Sequence, residues 1–126
     1  MKEISLGKIG QIAVAVQDLE RATAFYRDTL GIKFLFTAPP GMAFFDCDGT
    51  RLLIGKPERP ELQHASSTLY FKVNDIDAVY EELSRRGVAF AAKPALVASL
   101  ETYDFWLAEF RDSEGNIMAL MCEKPK

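Results

Sequence analysis

The chain has 126 residues, 48% of them hydrophobic, with nine Phe, four Tyr and one Trp. That is enough apolar material for the core of one domain, and it argues against disorder. The net charge of −3, with basic residues scattered, argues against nonspecific nucleic-acid binding. The longest apolar run, Ile117–Cys122, spans six residues, whereas a membrane-crossing helix needs about 20. Met1–Gly10 lacks the apolar stretch of a secretory signal. Cys47 and Cys122 do not make a disulfide framework, so the expectation is a cytoplasmic protein with reduced thiols and no membrane partner. There is one histidine, His64, so no site with two or three His ligands can be built within the chain.

Ile12–Val16 is short, apolar and partly β-branched, which predicts a buried strand. Asp18 can cap a helix whose apolar face is Leu19, Ala22, Phe25, Tyr26 and Leu30. Gly31 stands where a left-handed C-terminal cap is needed, and Ile32–Phe36 is the next strand. Asp46–Thr50 is hairpin-turn chemistry before a strand at Arg51–Ile54. The pattern then recurs. Leu69–Val73 is a strand, Asp75 a cap, and Ile76, Val79, Tyr80 and Leu83 a helix face. Gly87 ends that helix, Val88–Ala92 is the following strand, and the turn Asp112–Asn116 precedes Ile117–Met121. Asp18 and Asp75 are 57 positions apart, and Gly31 and Gly87 are 56 apart.

Each half therefore reads strand, helix, strand, strand, strand. The halves cover residues 9–56 and 67–123, with a linker at 57–66 that opens on Pro57-Glu58-Arg59-Pro60. One such unit leaves a sheet face bare, and two units can cover that face together. The expected fold is α+β, a single domain at 1–126 with two βαβββ modules. They form a curved, roughly eight-stranded sheet around a concave pocket. The segments Ala38–Met42 and Pro94–Asp104 read as connectors beside that pocket.

The run Ile12–Ala22, followed by Phe25-Tyr26-Arg27-Asp28 and Leu30-Gly31, resembles the opening of the vicinal-oxygen-chelate superfamily. That superfamily includes glyoxalase I, bleomycin-resistance proteins and extradiol dioxygenases. Phe110–Asn116 extends the resemblance to the second half. It implies the paired-module fold and, in metal-dependent members, one metal ligand from the first and the last strand of each half. At those positions this chain has Gln11, Leu53, Thr68 and Ala119. Two are aliphatic, and the other two are weak neutral donors for a divalent ion. The resemblance thus implies a member without the usual metal site and with no cofactor. Glyoxalase I or extradiol dioxygenase chemistry by the metal route is not expected.

Alternation fixes which residues share a strand face. Phe105, Leu107 and Glu109 lie on one face, and Trp106, Ala108 and Phe110 on the other. If the first face lines the pocket, Glu109 is a buried carboxylate and a catalytic acid or base; if not, it is a surface charge. Arg51 and Lys72 are strand cations that either hold an anionic ligand or send their heads to water. The pocket-lining set is then Gln11, Ala13, Arg51, Leu53, Thr68, Tyr70, Lys72, Phe105, Leu107, Ala119 and Met121. Phe34, Phe36, Phe44, Phe45, Tyr70, Tyr103, Phe105 and Trp106 exceed what a small core needs, which suits an apolar or aromatic ligand or a homodimer interface. Cys47 lies between two aspartates that raise its pKa, and His64 reads as a solvated loop residue. The leading expectation is a metal-independent binding protein for an apolar or aromatic small molecule. The alternative is a glyoxalase-type lyase or isomerase that uses Glu109, or a relocated metal held by Glu109 and Glu101 with Gln11. A third is a purely structural or interaction role.

Overall fold

A computed structural model describes residues 4–57 and 67–126. The linker beyond Pro57, with His64, lies outside the described residues. The first module runs β1 (Gln11–Ala15), α1 (Leu19–Ala24), a π-helical turn (Phe25–Thr29), β2 (Lys33–Ala38), β3 (Met42–Cys47) and β4 (Thr50–Gly55). The Asp18 carboxylate accepts the Arg21 N–H at 3.0 Å and so satisfies one free donor of the first helical turn. In the π-helical turn the Leu30 N–H reaches back five residues to the Phe25 carbonyl at 2.9 Å. Gly31 then reverses the chain at φ +73°, a conformation that costs other residues a steric penalty.

The second module runs β5 (Leu69–Lys72), α2 (Ile76–Arg85), β6 (Ala89–Phe90), β7 (Ala95–Ser99), β8 (Tyr103–Arg111) and β9 (Ile117–Pro125). Asp75 caps α2 by accepting the Ala78 N–H at 3.1 Å, and Gly87 has φ +91°. Two expectations need correction here. The strand expected at Val88–Ala92 is only two residues long, Ala89–Phe90. The connector expected at Pro94–Asp104 contains β7, which pairs antiparallel with β8 from Ala95↔Leu107 to Ser99↔Asp104. Its partner supplies the hydrogen bonds, so β7 forms although most of its side chains are exposed.

The strands form two mixed sheets, of order β1-β4-β3-β2 and β5-β9-β8-β6, with β7 on β8. They do not close into a barrel. Within each sheet the module's first strand pairs parallel with its last, and the other pairs are antiparallel. Alternation directs Val14, Phe45, Leu52 and Ile54 of the first sheet, and Ala108, Phe110, Met118, Leu120 and Cys122 of the second, into the core with α1 and α2.

The modules are joined by the second Asp-x-acid-Gly turn. The buried Tyr26 hydroxyl donates to the Asp112 carboxylate at 2.6 Å. Asp112 also closes its own turn by accepting the Glu114 and Asn116 N–H groups, each at 2.8 Å. The Asn116 amide donates to the Ala15 carbonyl at 3.2 Å. Glu114 accepts the Gln17 and Asp18 N–H groups and the Arg21 guanidinium, with its own side chain only 5% exposed. Burial alone would raise the Glu114 pKa, but the Asp18 and Gln17 N–H groups and the Arg21 guanidinium outweigh it and hold the carboxyl below its ordinary value.

Candidate ligand-binding face

Core packing claims one face of each sheet, and alternation turns every second side chain to the other. Val14 is buried against the helix layer, so Gln11 and Ala13 of β1 point away from it. The same alternation turns Arg51 and Leu53 of β4 away from the core, opposite Leu52 and Ile54. In the second sheet it does so for Tyr70 and Lys72, for Phe105, Leu107 and Glu109, and for Met121; Ala119 takes the same side by parity but is buried. Thr68 stands immediately before β5 and is exposed. Apart from Thr68, the pocket-lining set read from the sequence therefore takes the helix-free sides of the strands, split between the two sheets.

Register groups these residues into rows. In the first sheet Ala13 pairs with Leu53, Leu53 with Phe44, and Phe44 with Phe36, giving an apolar row across four strands. Phe34 pairs with Phe45 but Phe36 with Phe44, so an irregularity around Leu35 brings Phe36 into this row. The Phe36 and Phe44 rings lie 4.8 Å apart at 32°, and Phe36 is 47% exposed. The adjoining row is polar, with Gln11 beside Arg51 and Arg51 beside Asp46. The Arg51 Nε donates to the Gln11 Oε1 at 2.7 Å, and its guanidinium carbon sits 5.4 Å from the Phe44 ring centre. Asp46 uses its Oδ1 to accept the Gly49 N–H at 3.0 Å.

In the second sheet Ala119 is flanked in register by Tyr70 and Glu109, and Met121 by Lys72 and Leu107. Tyr70 is 53% exposed. Lys72 forms an ion pair with Glu123 at 3.0 Å. Glu109 is exposed rather than buried, and its carboxylate has no partner among the described residues. The condition that would have made it a desolvated acid is therefore not met. Of the aromatic surplus, Phe45 is in the core, and Phe34 and Trp106 pack against it. Cys47 is half-buried, and partial burial followed by Asp46 and Asp48 raises its thiol pKa. Away from these faces, a cavity of about 920 Å³ opens between α1 and the turn after β2, lined by Thr23, Arg27, Thr37, Pro40 and Lys56 among others.

Among the described residues no group of three or more His, Cys, Asp or Glu side chains is placed to hold a metal ion. The Gln11 side-chain oxygen accepts from Arg51. The sequence named Gln11, Arg51, Phe36 and Phe44 separately but gave no sign of their contact. The Gln11–Arg51 contact in particular depends on the register of two strands whose paired residues are 40 positions apart in the chain.

The family model of the glyoxalase/bleomycin resistance protein/dioxygenase superfamily matches residues 8–120. The chain belongs to this superfamily. A glyoxylase-like domain-containing protein from Didymella fabae is 30% identical over 94% of this chain and 95% of its own. A superfamily member from Sphaerobacter thermophilus shares the fold with a TM-score of 0.78 at 24% identity, over 94% of this chain and 98% of its own. TnmS3, an antibiotic binding protein from Streptomyces sp. CB03234, superposes with a TM-score of 0.76 at 24% identity, over 98% of this chain and all of its own. Superfamily membership carries the fold and not one reaction. Among the described residues no helix is long and apolar enough to cross a membrane.

Proposed function

We propose that this chain is a metal-independent binding protein for an apolar or aromatic small molecule, held on the helix-free faces of the two sheets. One observation carries the reading: Phe36, Phe44 and Tyr70 on these faces are only partly covered, while the resemblance puts Gln11, Leu53, Thr68 and Ala119 at the positions that supply metal ligands in metal-dependent members. A face of that composition favours ring stacking and apolar burial over coordination. The antibiotic-binding description of TnmS3 shows that this fold can serve as a binding scaffold.

The protein acts in this proposal as a cytoplasmic homodimer with both thiols reduced. Its partly exposed apolar side chains, among them Leu96 and Val97 of β7, suit a self-complementary interface. Light scattering is expected to give the mass of two chains. Elemental analysis after incubation with Zn²⁺, Ni²⁺, Mn²⁺ and Fe²⁺ is expected to give less than about a tenth of an equivalent of each. Near one equivalent surviving dialysis would overturn the metal-independent reading. A thermal-shift screen of polycyclic aromatic compounds is expected to stabilise the protein, and no shift from any of them would count against binding.

A second reading has one observation in its favour. Glu109 offers an exposed carboxylate with no partner among the described residues, and a carboxylate open to a substrate suits a general base in a lyase or isomerase. An unchanged turnover rate in Glu109→Gln would exclude that role.

A further inference from the structure

Most arginines described are neutralised. Arg21 meets Glu114, Arg27 meets Asp28, and Arg85 and Arg86 meet Glu82. Arg111 instead donates to the Gly115 carbonyl in its own hairpin, and the partners of Arg51 are the neutral Gln11 amide and the Phe44 ring. Gln11 engages only Nε, so both terminal guanidinium nitrogens lack a partner among the described residues. These two contacts hold the planar fork without cancelling its charge, and an oriented guanidinium fork matches a carboxylate. Asp46, on the far side of Arg51 in register, accepts the N–H of Gly49 in its own turn. On the near side lies the apolar row Ala13, Leu53, Phe44 and Phe36. A fixed cation thus borders an uncovered aromatic surface.

Taking the binding reading above as its basis, we propose that the first sheet accepts a planar aromatic acid, with its carboxylate on the Arg51 guanidinium and its rings against Phe36 and Phe44. Gln11 acts as a positioning residue that holds the fork. The step is binding alone and needs no co-reactant.

Two probes of nearly equal shape separate the two claims, 2-naphthoate and 2-naphthalenemethanol. Isothermal titration of the intact chain is expected to show naphthoate binding about tenfold or more tighter than the alcohol, as a charge-assisted fork contact implies. Arg51→Met is expected to remove that preference and leave the alcohol's affinity unchanged. Arg51→Lys should keep part of it, because charge remains while the fork is lost. Phe36→Ala should weaken both probes. Equal affinity of the two probes for the parent would overturn the acid inference and leave the binding reading in place. A preference that persists in Arg51→Met would also overturn it. Failure of both probes to bind would overturn the two together.

Discussion

Tyr26→Phe tests what joins the two modules. The substitution deletes one oxygen from a fully buried ring and leaves the ring's packing against Phe25 and Phe45 in place. The lost interaction is a 2.6 Å hydrogen bond to a carboxylate that is itself 6% exposed. Hydrogen bonds to charged groups contribute about 1.5–3 kcal/mol. Asp112 keeps the Glu114 and Asn116 N–H groups and the Asn116 amide, so it is not left bare, and a value near 2 kcal/mol follows. With about 2.1 cal/mol/K of unfolding entropy per residue, a chain of 126 residues loses about 8 °C in Tm for that amount. Urea unfolding should show a lower midpoint with an unchanged m value. Asp112→Ala should cost more, because it also removes the acceptor of the turn. A loss below about 0.5 kcal/mol in Tyr26→Phe would mean that water replaces the bond, and the argument for a buried latch would fail.

Three further outcomes follow from the geometry. In Gly55→Ala the new Cβ would lie 2.8 Å from the Gly41 carbonyl oxygen, so backbone must move, and a loss of about 1–3 kcal/mol is expected in urea unfolding; an unchanged midpoint would show that this strand end is loose. Glu114 has a folded pKa below its ordinary value of 4.5, so its contribution is complete above that pH and is lost as pH falls through the folded value. Glu114→Gln should therefore flatten the fall in urea midpoint between about pH 5 and pH 3, and parallel curves would refute this. Finally, a Cys47 thiol raised from 9.0 should react with iodoacetamide at pH 7.5 more slowly than free cysteine, and faster alkylation would contradict the burial and the two aspartates beside it.

Much of this fold was legible because its signals are local. Asp18 and Asp75 cap helices, Gly31 and Gly87 take positive φ, and the two Asp-x-acid-Gly turns close on their own N–H groups, all within five residues of chain. Strand parity assigned each candidate to one side of its sheet for the same reason, since it needs only alternation. What escaped depends on distant partners. The segment Ala95–Ser99 sits between Pro94 and a polar stretch and is a strand only because β8 pairs with it. The widened helical turn at Phe25–Thr29 leaves no mark in the apolar spacing. The exposure of Glu109 could not be read from a strand pattern that says which side it takes but not what covers that side.

The two halves use one turn sequence in unequal ways. Asp46 closes its turn on Gly49 and, among the described residues, makes no hydrogen bond or ion pair to the other module, whereas the turn at Asp112–Asn116 is wedged against the first module through Tyr26, Arg21 and Ala15. For a protein engineer they are different places to cut. A short Gly-Ser insertion after Asp48, where the chain is exposed, should leave a foldable protein; the same insertion after Ser113 should pull the halves apart. One hairpin pins the modules together, and the other is free to be rebuilt.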